Sequence, residues 1–213
     1  MVINLVDDCI WYSMADTGRT ELLYCKIDVK PKEKSIFQIN ESKILTAFAS
    51  DVTYYMDGNA IIYKSTGGKH KLTTLSDPTI KTVEIPEKLV IPITLEIDKK
   101  EMENVFNEVF SIVNSSKDSA DHIWFHIFDN KLTIRNTNVD EQHEYTFPVD
   151  VDANGVEYKS KFSMDLLMDC LKYYKTFDTI KISMGTNLPV KFEFNKDIIT
   201  FKTLALPRID PND

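Results

Sequence analysis

HIWFHIFDNKLTIRN, residues 122–136, is the stretch that decides the fold of this chain. Two runs rich in aromatic and β-branched residues flank the polar pair Asp129-Asn130. Runs of this composition favour β-strands, and a polar pair between them favours a tight turn. The stretch therefore predicts a β-hairpin.

The same plan of two strand-like runs around a polar turn recurs along the chain. The other predicted hairpins are VTYYMDGNAIIYKS (52–65) with its turn at Asp57-Gly58, LPVKFEFNKDIITFKT (188–203) with its turn at Asn195-Lys196-Asp197, and CIWYSMADTGRTELLYCKI (9–27) with a longer turn from Asp16 to Arg19. Asp-Gly between two such runs is the strongest short hairpin signal. A strand is also predicted at the beginning of the chain, from Val2 onward.

Each of the last three hairpins follows a segment whose apolar residues have helical spacing. These segments are NESKILTAFAS (40–50), DKKEMENVFNEVFSIVN (98–114) and SMDLLMDCLKYYKTF (163–177). The stripe of the second consists of Met102, Val105, Phe106, Val109, Phe110 and Val113, and that of the third of Met164, Leu167, Cys170, Leu171 and Tyr174, with Ser163 as N-cap. A helix followed by a meander thus recurs about every sixty residues, which indicates an internal repeat. The fold class is α+β, with the helical stripes packed on antiparallel sheets.

A proline-punctuated segment separates the second and third units. DPTIKTVEIPEKLVIPITLEID (77–98) contains Pro78, Pro86 and Pro92. Because proline has no backbone donor, it suits connectors better than central strands. The sequence therefore predicts an N-terminal domain (1–76), an extended connector (77–92) and a C-terminal domain (93–213). The connector is more apolar than a solvated linker needs to be.

Composition excludes several classes of protein. The chain has 213 residues, of which 43% are hydrophobic and 27% charged, which is enough for a core. It contains no apolar run long enough to span a membrane and does not begin like a signal peptide. Cys9, Cys25 and Cys170 are odd in number and widely spaced, which predicts reduced core thiols in an intracellular protein. The net charge of -8 makes nucleic acid a poor partner unless charge is sorted by face.

No motif for catalysis or for a cofactor is found in the sequence. His122 and His126 are four residues apart, but on a strand this spacing separates them by about 13 Å, too far for one zinc ion. Gly67-Gly68 lacks the spacing of a phosphate-binding loop and is interpreted as a turn. The sequence therefore predicts no enzyme, no metal site and no cofactor.

Several segments, in their order and spacing, resemble the sliding clamps of the proliferating cell nuclear antigen type. They span nearly the whole chain and are SMADTGRTELL (13–23), SKIL (42–45), EIPEKLVIPITLEIDKKEM (84–102), SKFSMDLLMDCLKYYKTFDTIKISMGTNLPVKFEF (160–194) and LALPRID (204–210). The resemblance implies the two-domain clamp fold, with outer antiparallel sheets and inner helices. It also implies three subunits closed into a ring around duplex DNA. The expected location is intracellular, in the compartment that contains the DNA.

The activity that this resemblance implies is topological. The ring would tether DNA polymerase and other replication and repair enzymes to the template, and a clamp loader ATPase would place it there. Client proteins would insert short apolar and aromatic peptides into a surface pocket. By resemblance, the pocket residues are Met14, Leu22, Val83, Ile85, Pro86, Ile91, Leu188, Pro189, Leu206 and Pro207, and the inner-helix lysines facing DNA are Lys43, Lys99, Lys100, Lys172 and Lys175.

Two departures from the family pattern keep other functions open. No helical segment precedes the strands at 2–27, so a first strand and helix are expected either upstream or lost. The inner helices carry many carboxylates, and Asn104 and Asn107 stand where the family has arginines. The alternatives are a clamp-like transcription or checkpoint factor, for example of a DNA virus, and an α+β interaction module with no role on DNA.

Overall fold

The computed structural model describes residues 2–5, 8–15, 21–28, 30–31, 35–38, 53–56, 60–65, 68–73, 89–110, 122–137, 142–151, 153, 155–172 and 174–209. The chain divides into two compact units, residues 1–15 with 24–84, and residues 16–23 with 85–213. The predicted connector, 77–92, is described only from Leu89 onward, so its boundaries stay a prediction.

The described strands up to residue 73 are short and antiparallel, and they belong to the first unit except for residues 21–23, at the start of the third strand. They are β1 (Val2–Leu5), β2 (Ile10–Ala15), β3 (Glu21–Ile27), β4 (Ser35–Gln38), β5 (Thr53–Met56), β6 (Ala60–Ser65) and β7 (Gly68–Thr73). Two sets of hydrogen-bonded neighbours occur among these strands, in the orders β4-β1-β2-β3 and β5-β6-β7. The strands predicted at the start of the chain and within 9–27 and 52–65 are confirmed. Their turns at 16–20 and 57–59, and the helical segment 40–50, lie outside the described residues.

The second unit alternates helices with antiparallel strands. Its elements are β8 (Ile93–Asp98), α1 (Lys99–Val105) continued by a π-helical turn (Phe106–Phe110), β9 (His122–Phe128), β10 (Lys131–Thr137), β11 (Gln142–Pro148), β12 (Tyr158–Ser163), α2 (Met164–Leu171), a 3-10 turn (Tyr174–Thr176), β13 (Thr179–Met184), β14 (Val190–Lys196) and β15 (Ile199–Ala205). The strand orders are β11-β10-β9-β12 and β15-β14-β13-β8.

The hairpin predicted from residues 122–136 is confirmed. Phe128 pairs with Lys131, which leaves Asp129 and Asn130 as a two-residue turn. Both turn residues have positive φ, 50° and 53°. Such a turn matches the right-handed twist of the strands, and Asp and Asn tolerate it better than other side chains do.

The turn of the last hairpin begins two residues later than predicted and is one residue shorter. Lys196 pairs with Ile199, so the turn is Asp197-Ile198, and Asn195 and Lys196 belong to β14. Asp197 supplies the positive φ, at 50°. The prediction was wrong here because polar residues mark the neighbourhood of a turn, whereas cross-strand pairing decides which two residues make it.

The helical stripes form the core of the second unit, as predicted. In α1 and its π-helical continuation Met102, Val105, Val109 and Phe110 are buried, Phe106 is only half-buried, and Val113 lies outside the described residues. The five apolar residues predicted for the segment at 163–177, Met164, Leu167, Cys170, Leu171 and Tyr174, are all buried. Asp98 caps α1, its carboxylate accepting the Glu101 N–H at 2.8 Å. Ser163 is the N-cap of α2, but its side chain makes no capping bond.

An aromatic cluster joins the helices and sheets inside the second unit. Phe106 stacks on Phe110 and on Tyr174, with ring centroids 4.9 and 4.4 Å away. Phe125 meets Phe162 edge to face at 5.6 Å. These contacts tie the helical segment that begins with α1 to the turn after α2, and β9 to β12.

All three cysteines lie among the described residues, are buried and form no disulfide, as the sequence predicted. Burial raises the pKa of the Cys9 thiol. Among the helices that the structure describes, none is long and apolar enough to cross a membrane.

Candidate functional site

Five of the predicted pocket residues lie in the described part of the second unit. Ile91, Leu188, Pro189 and Pro207 are half-buried, and the side chain of Leu206 is 39% exposed. Val190 pairs with Ala205 at the open end of the β14–β15 hairpin, so Pro189 and Leu206 leave the last pair together. The structure thus places the 188–189 and 206–207 segments side by side, next to a surface where apolar groups meet solvent.

Strand β12 holds the turn that carries Leu188. The hydroxyl of Ser160 donates to the carbonyl of Gly185 at 2.6 Å, in a buried position. The backbone of Lys159 bonds the same turn twice, because its N–H donates to Thr186 Oγ1 at 3.3 Å and its carbonyl accepts the Asn187 N–H at 3.3 Å. Asn187 has a φ of 54°. The turn is therefore fixed by long-range bonds.

The same strand also holds the C-terminal tail. The N–H of Arg208 donates to the carbonyl of Lys161 at 2.7 Å. Leu206 and Ile209, either side of this bond, are 39% and 63% exposed. The bond keeps exposed apolar side chains at a defined place on the surface. Three successive residues of β12, 159–161, thus position both the turn and the tail.

Side chains pack closely against Gly185 where the end of the predicted connector meets this turn. A Cβ on Gly185 would lie 2.8 Å from Leu188 Cδ1 and 2.8 Å from both Cδ and Cγ of Pro92. Only glycine fits between these side chains. Sequence reasoning missed Gly185 and Ser160. The Gly-Thr-Asn run at 185–187 was the available signal, because it is typical of a tight turn.

The side chains of the other five predicted pocket residues lie outside what the structure describes. Met14 lies in β2 and Leu22 in β3, but their side chains are outside what the structure describes. Val83, Ile85 and Pro86 lie outside the described residues. Their membership of the pocket stays a prediction.

Four of the five predicted DNA-facing lysines are described, and two of them are brought together. Lys99 Nζ donates to the carbonyl of Lys175 at 2.9 Å, and the Lys99 N–H donates to the Asp178 carbonyl at 2.9 Å. The start of α1 therefore lies against the turn that follows α2. Lys100, Lys172 and Lys175 are exposed, and Lys43 lies outside the described residues.

A further lysine, which the sequence did not single out, reaches the same turn. Lys196 Nζ donates to the Thr176 carbonyl at 3.3 Å. Carbonyls after a helix carry partial negative charge, which attracts cations. Lys99 and Lys196 therefore stabilise this turn, and together with Lys175 they concentrate positive charge around it.

The acidic side of α1 has a structural partner. Tyr145 Oη donates to Glu101 Oε2 at 2.9 Å and accepts from Asn104 Nδ2 at 2.9 Å. Burial raises the pKa of Tyr145, and its bond to Glu101 raises it further. Asn104 is therefore part of the contact between α1 and β11.

The two histidines considered as metal ligands lie on strand β9, as predicted. His126 Nε2 lies 2.8 Å from Glu157 Oε1. Within the described ranges no group of three or more metal-ligating side chains comes together.

Comparisons with known proteins bear on the fold. No protein-family model matches the chain, and no curated protein matches it by sequence. Solved structures do match. One is proliferating cellular nuclear antigen from Entamoeba histolytica, with a TM-score of 0.72 and 19% identity, and another is the A. fulgidus PCNA with the C-terminal region of FEN-1 bound, with a TM-score of 0.77 and 19% identity. Each alignment covers 98% of this chain and 89% of the matched chain.

A third solved structure, the PCNA2–PCNA3 complex from Sulfolobus tokodaii, gives the same result. Its TM-score is 0.74 at 14% identity, covering 97% of this chain and 89% of the other. The likeness extends over nearly the whole chain although few residues are shared, so it is a likeness of fold. The protein therefore has the sliding-clamp fold of the PCNA structures.

Proposed function

We propose that the protein is a DNA sliding clamp that acts as a polymerase processivity factor. The observation that carries this proposal is the likeness to PCNA structures over 97–98% of the chain. In the proposal, three subunits close into a ring around duplex DNA, and a loader ATPase opens it. The protein performs no chemistry of its own, since a topological link is enough to keep a polymerase on its template.

The lysines around the two helices supply the contact with DNA in this proposal. Lys100, Lys172 and Lys175 are exposed and can approach phosphates. Their number is small, and Asp169 lies 3.9 Å from Lys172 Nζ. Weak contact suits a ring that must slide, because each strong phosphate contact would hold it in place.

Client peptides dock, in the proposal, on the surface formed by the 188–189 and 206–207 segments. Covering apolar surface stabilises a complex by about 25 cal/mol per Å², less the cost of ordering the peptide. The backbone bonds from β12 lower that cost on the protein side because the turn and the tail are already positioned. The bound FEN-1 peptide in the A. fulgidus structure is the reason to choose a peptide as ligand.

The first test is the absolute mass in solution, by light scattering at micromolar concentration. A homotrimer has a mass of about 74 kDa, three times the 24.6 kDa of the chain. We expect the trimer mass and, on circular primed DNA with a loader, longer polymerase products. A monomer at every concentration contradicts the homotrimeric ring.

The docking surface is tested with a synthetic peptide of the FEN-1 C-terminal region. Leu206→Glu places a charge on the proposed surface and is expected to abolish peptide binding by calorimetry without unfolding the protein. Ile198→Glu is the matched control, because Ile198 is also exposed, at 49%, but lies in the turn at the other end of the β14–β15 hairpin. Equal affinity for the two variants would mean that the docking surface is elsewhere.

A second candidate is a clamp-like transcription or checkpoint factor with the same fold. It is favoured by the acidic character of α1, where Glu101 and Glu103 accompany Lys99 and Lys100, and by the use of Asn104 to bind Tyr145. Such a factor would bind RNA polymerase subunits and would not extend DNA polymerase products. The two assays on the same preparation distinguish the candidates.

A further inference from the structure

The outward face of strand β9 carries a row of rings. Ile123, Phe125 and Ile127 point into the core and are fully buried. The alternate residues, which point to the opposite face, are His122, Trp124, His126 and Phe128. The outward face of an antiparallel sheet is usually polar. Four rings in succession are therefore a departure that core packing does not explain.

The rings are accessible toward the end of the strand. Phe128 is 53% exposed, and the side chain of His126 is 34% exposed. Their rings are nearly parallel, at 14°, with centroids 6.4 Å apart. Alternate residues on a strand are about 6.8 Å apart, which is close to the separation of successive nucleotides in an extended single strand.

Cations on the two neighbouring strands flank this row. On β12, Lys161 pairs with Trp124 and Lys159 with His126. Both ammonium groups approach the Trp124 ring, at 4.3 Å for Lys159 and 5.0 Å for Lys161. Lys161 is 6% exposed, so its contact serves to position the ring, whereas Lys159 is half-buried and can reach a ligand.

Strand β10 supplies the cations on the other side. Arg135 pairs with Trp124, and the exposed Lys131 pairs with Phe128. On the described strands of this face the carboxylate is Glu144, which pairs with Arg135, and just before β12 the Oε1 of Glu157 lies 2.8 Å from His126 Nε2. Four cations against two carboxylates give this face a positive balance, in a chain whose net charge is -8. Positive charge is therefore concentrated on this face of the sheet, although the chain as a whole is acidic.

We propose that this face, defined by Trp124, His126, Phe128, Lys131 and Lys159, binds single-stranded nucleic acid. Bases stack on exposed rings with little regard to sequence, and flanking lysines neutralise the phosphates. Duplex DNA cannot use the rings because its bases are already stacked. An acidic peptide would use the lysines but has no planar groups to stack on the row. The inference does not depend on ring closure and goes beyond the proposed clamp function.

The test uses labelled oligonucleotides of about 12 residues, (dT)12 and (rU)12, with a duplex and a poly-glutamate peptide as competitors, at about 50 mM salt. The chain has two tryptophans, so Trp11→Phe leaves Trp124 as the reporter. We expect saturable anisotropy changes with quenching of Trp124 fluorescence. Both oligonucleotides are expected to bind, since stacking does not require a particular sugar.

Two variants locate the site. Phe128→Ala is expected to weaken (dT)12 binding about 5- to 140-fold, which corresponds to the loss of one stacked base. Lys159→Ala is expected to lower the slope of log K against log salt by about 0.7. Ile198→Ala and Lys181→Ala are the controls, because both side chains are exposed on other strands or turns. Circular dichroism checks that each variant is folded.

Three results would overturn the inference. The first is no binding of either oligonucleotide at low salt. The second is wild-type affinity in both Phe128→Ala and Lys159→Ala, which would place any binding elsewhere. The third is equal displacement by poly-glutamate with no quenching of Trp124, since this would indicate a general anion surface. Single-strand binding without duplex binding supports the inference and does not bear on the clamp proposal, in which a loader places the ring on duplex DNA.

Discussion

Replacing Gly185 with alanine tests how the docking surface is built. The new Cβ would lie 2.8 Å from Leu188 Cδ1 and from two ring carbons of Pro92, about 0.6 Å closer than the 3.4 Å at which ordinary contacts begin. Leu188 can rotate its side chain away. The Pro92 ring cannot, because its Cδ is bonded to the backbone nitrogen. Either Pro92 or the 185–188 turn must therefore move.

The expected cost follows from similar overpacked positions. Inserting a methyl group into a filled site destabilises a protein by about 1–3 kcal/mol. For a chain of this length that lowers the melting temperature by about 2–12 °C. Movement of the turn also strains the buried bond from Ser160 Oγ to the Gly185 carbonyl, whose length is 2.6 Å. We therefore expect weaker binding of the FEN-1 peptide as well as lower stability.

A double variant makes the reasoning specific. Pro92→Ala removes Cγ and Cδ, so Gly185→Ala in that background is expected to cost at least 1 kcal/mol less than alone. Urea unfolding and peptide calorimetry on the four proteins of this cycle give both energies. Pro92→Ala alone is the matched control, because it removes the two ring carbons without adding a Cβ at residue 185. Additive energies in the cycle, or an unchanged stability of Gly185→Ala, would refute the packing argument.

Three further predictions concern the second unit. Burial alone would raise the pKa of Glu193, but its ion pair with Lys202, at 3.0 Å, outweighs burial and lowers that pKa. The pair therefore stabilises the fold at pH values above the usual pKa of 4.5, and this stabilisation is lost as the pH falls through the lowered pKa. Glu193→Gln is expected to cost about 0.2–1 kcal/mol at neutral pH and nothing in acid, and an equal cost at both pH values in urea unfolding would disprove it. Asp98→Ala removes the N-cap of α1 and is expected to cost about 1 kcal/mol, whereas Asp98→Asn, which keeps the acceptor, should retain most of the stability. Phe106→Ala breaks two stacked pairs and is expected to lower the free energy of unfolding by about 1–3 kcal/mol in urea unfolding. A smaller decrease would mean that the stacking contributes little to stability.

The fold was predictable from the sequence wherever a pattern is local. The β9–β10 turn is specified by Asp129 and Asn130, since few other residues accept positive φ at two successive positions. The buried stripe of α2 follows from apolar spacing alone. The last hairpin was placed less well, because Asn195 and Lys196 are polar enough for a turn yet pair with Thr200 and Ile199.

The candidate site was predictable only in part. Leu188 and Leu206 were identified through the resemblance to sliding clamps, and the structure places their segments side by side. Gly185 and Ser160 were missed, since a glycine looks the same in sequence whether or not another chain segment approaches it. Lys99 was predicted as a surface cation, and its bond to the Lys175 carbonyl joins residues 76 positions apart.

By itself, the sequence determined the strands and the helical stripes, because each depends on neighbours within one turn or one hairpin. The tertiary structure alone decided that residues 159–161 of β12 hold both the 185–188 turn and the tail at Arg208. It also decided that Lys131 and Lys159 flank the rings of β9 from two different strands. These relations depend on strand order and register, which bring distant segments within hydrogen-bond distance and which local preferences do not encode.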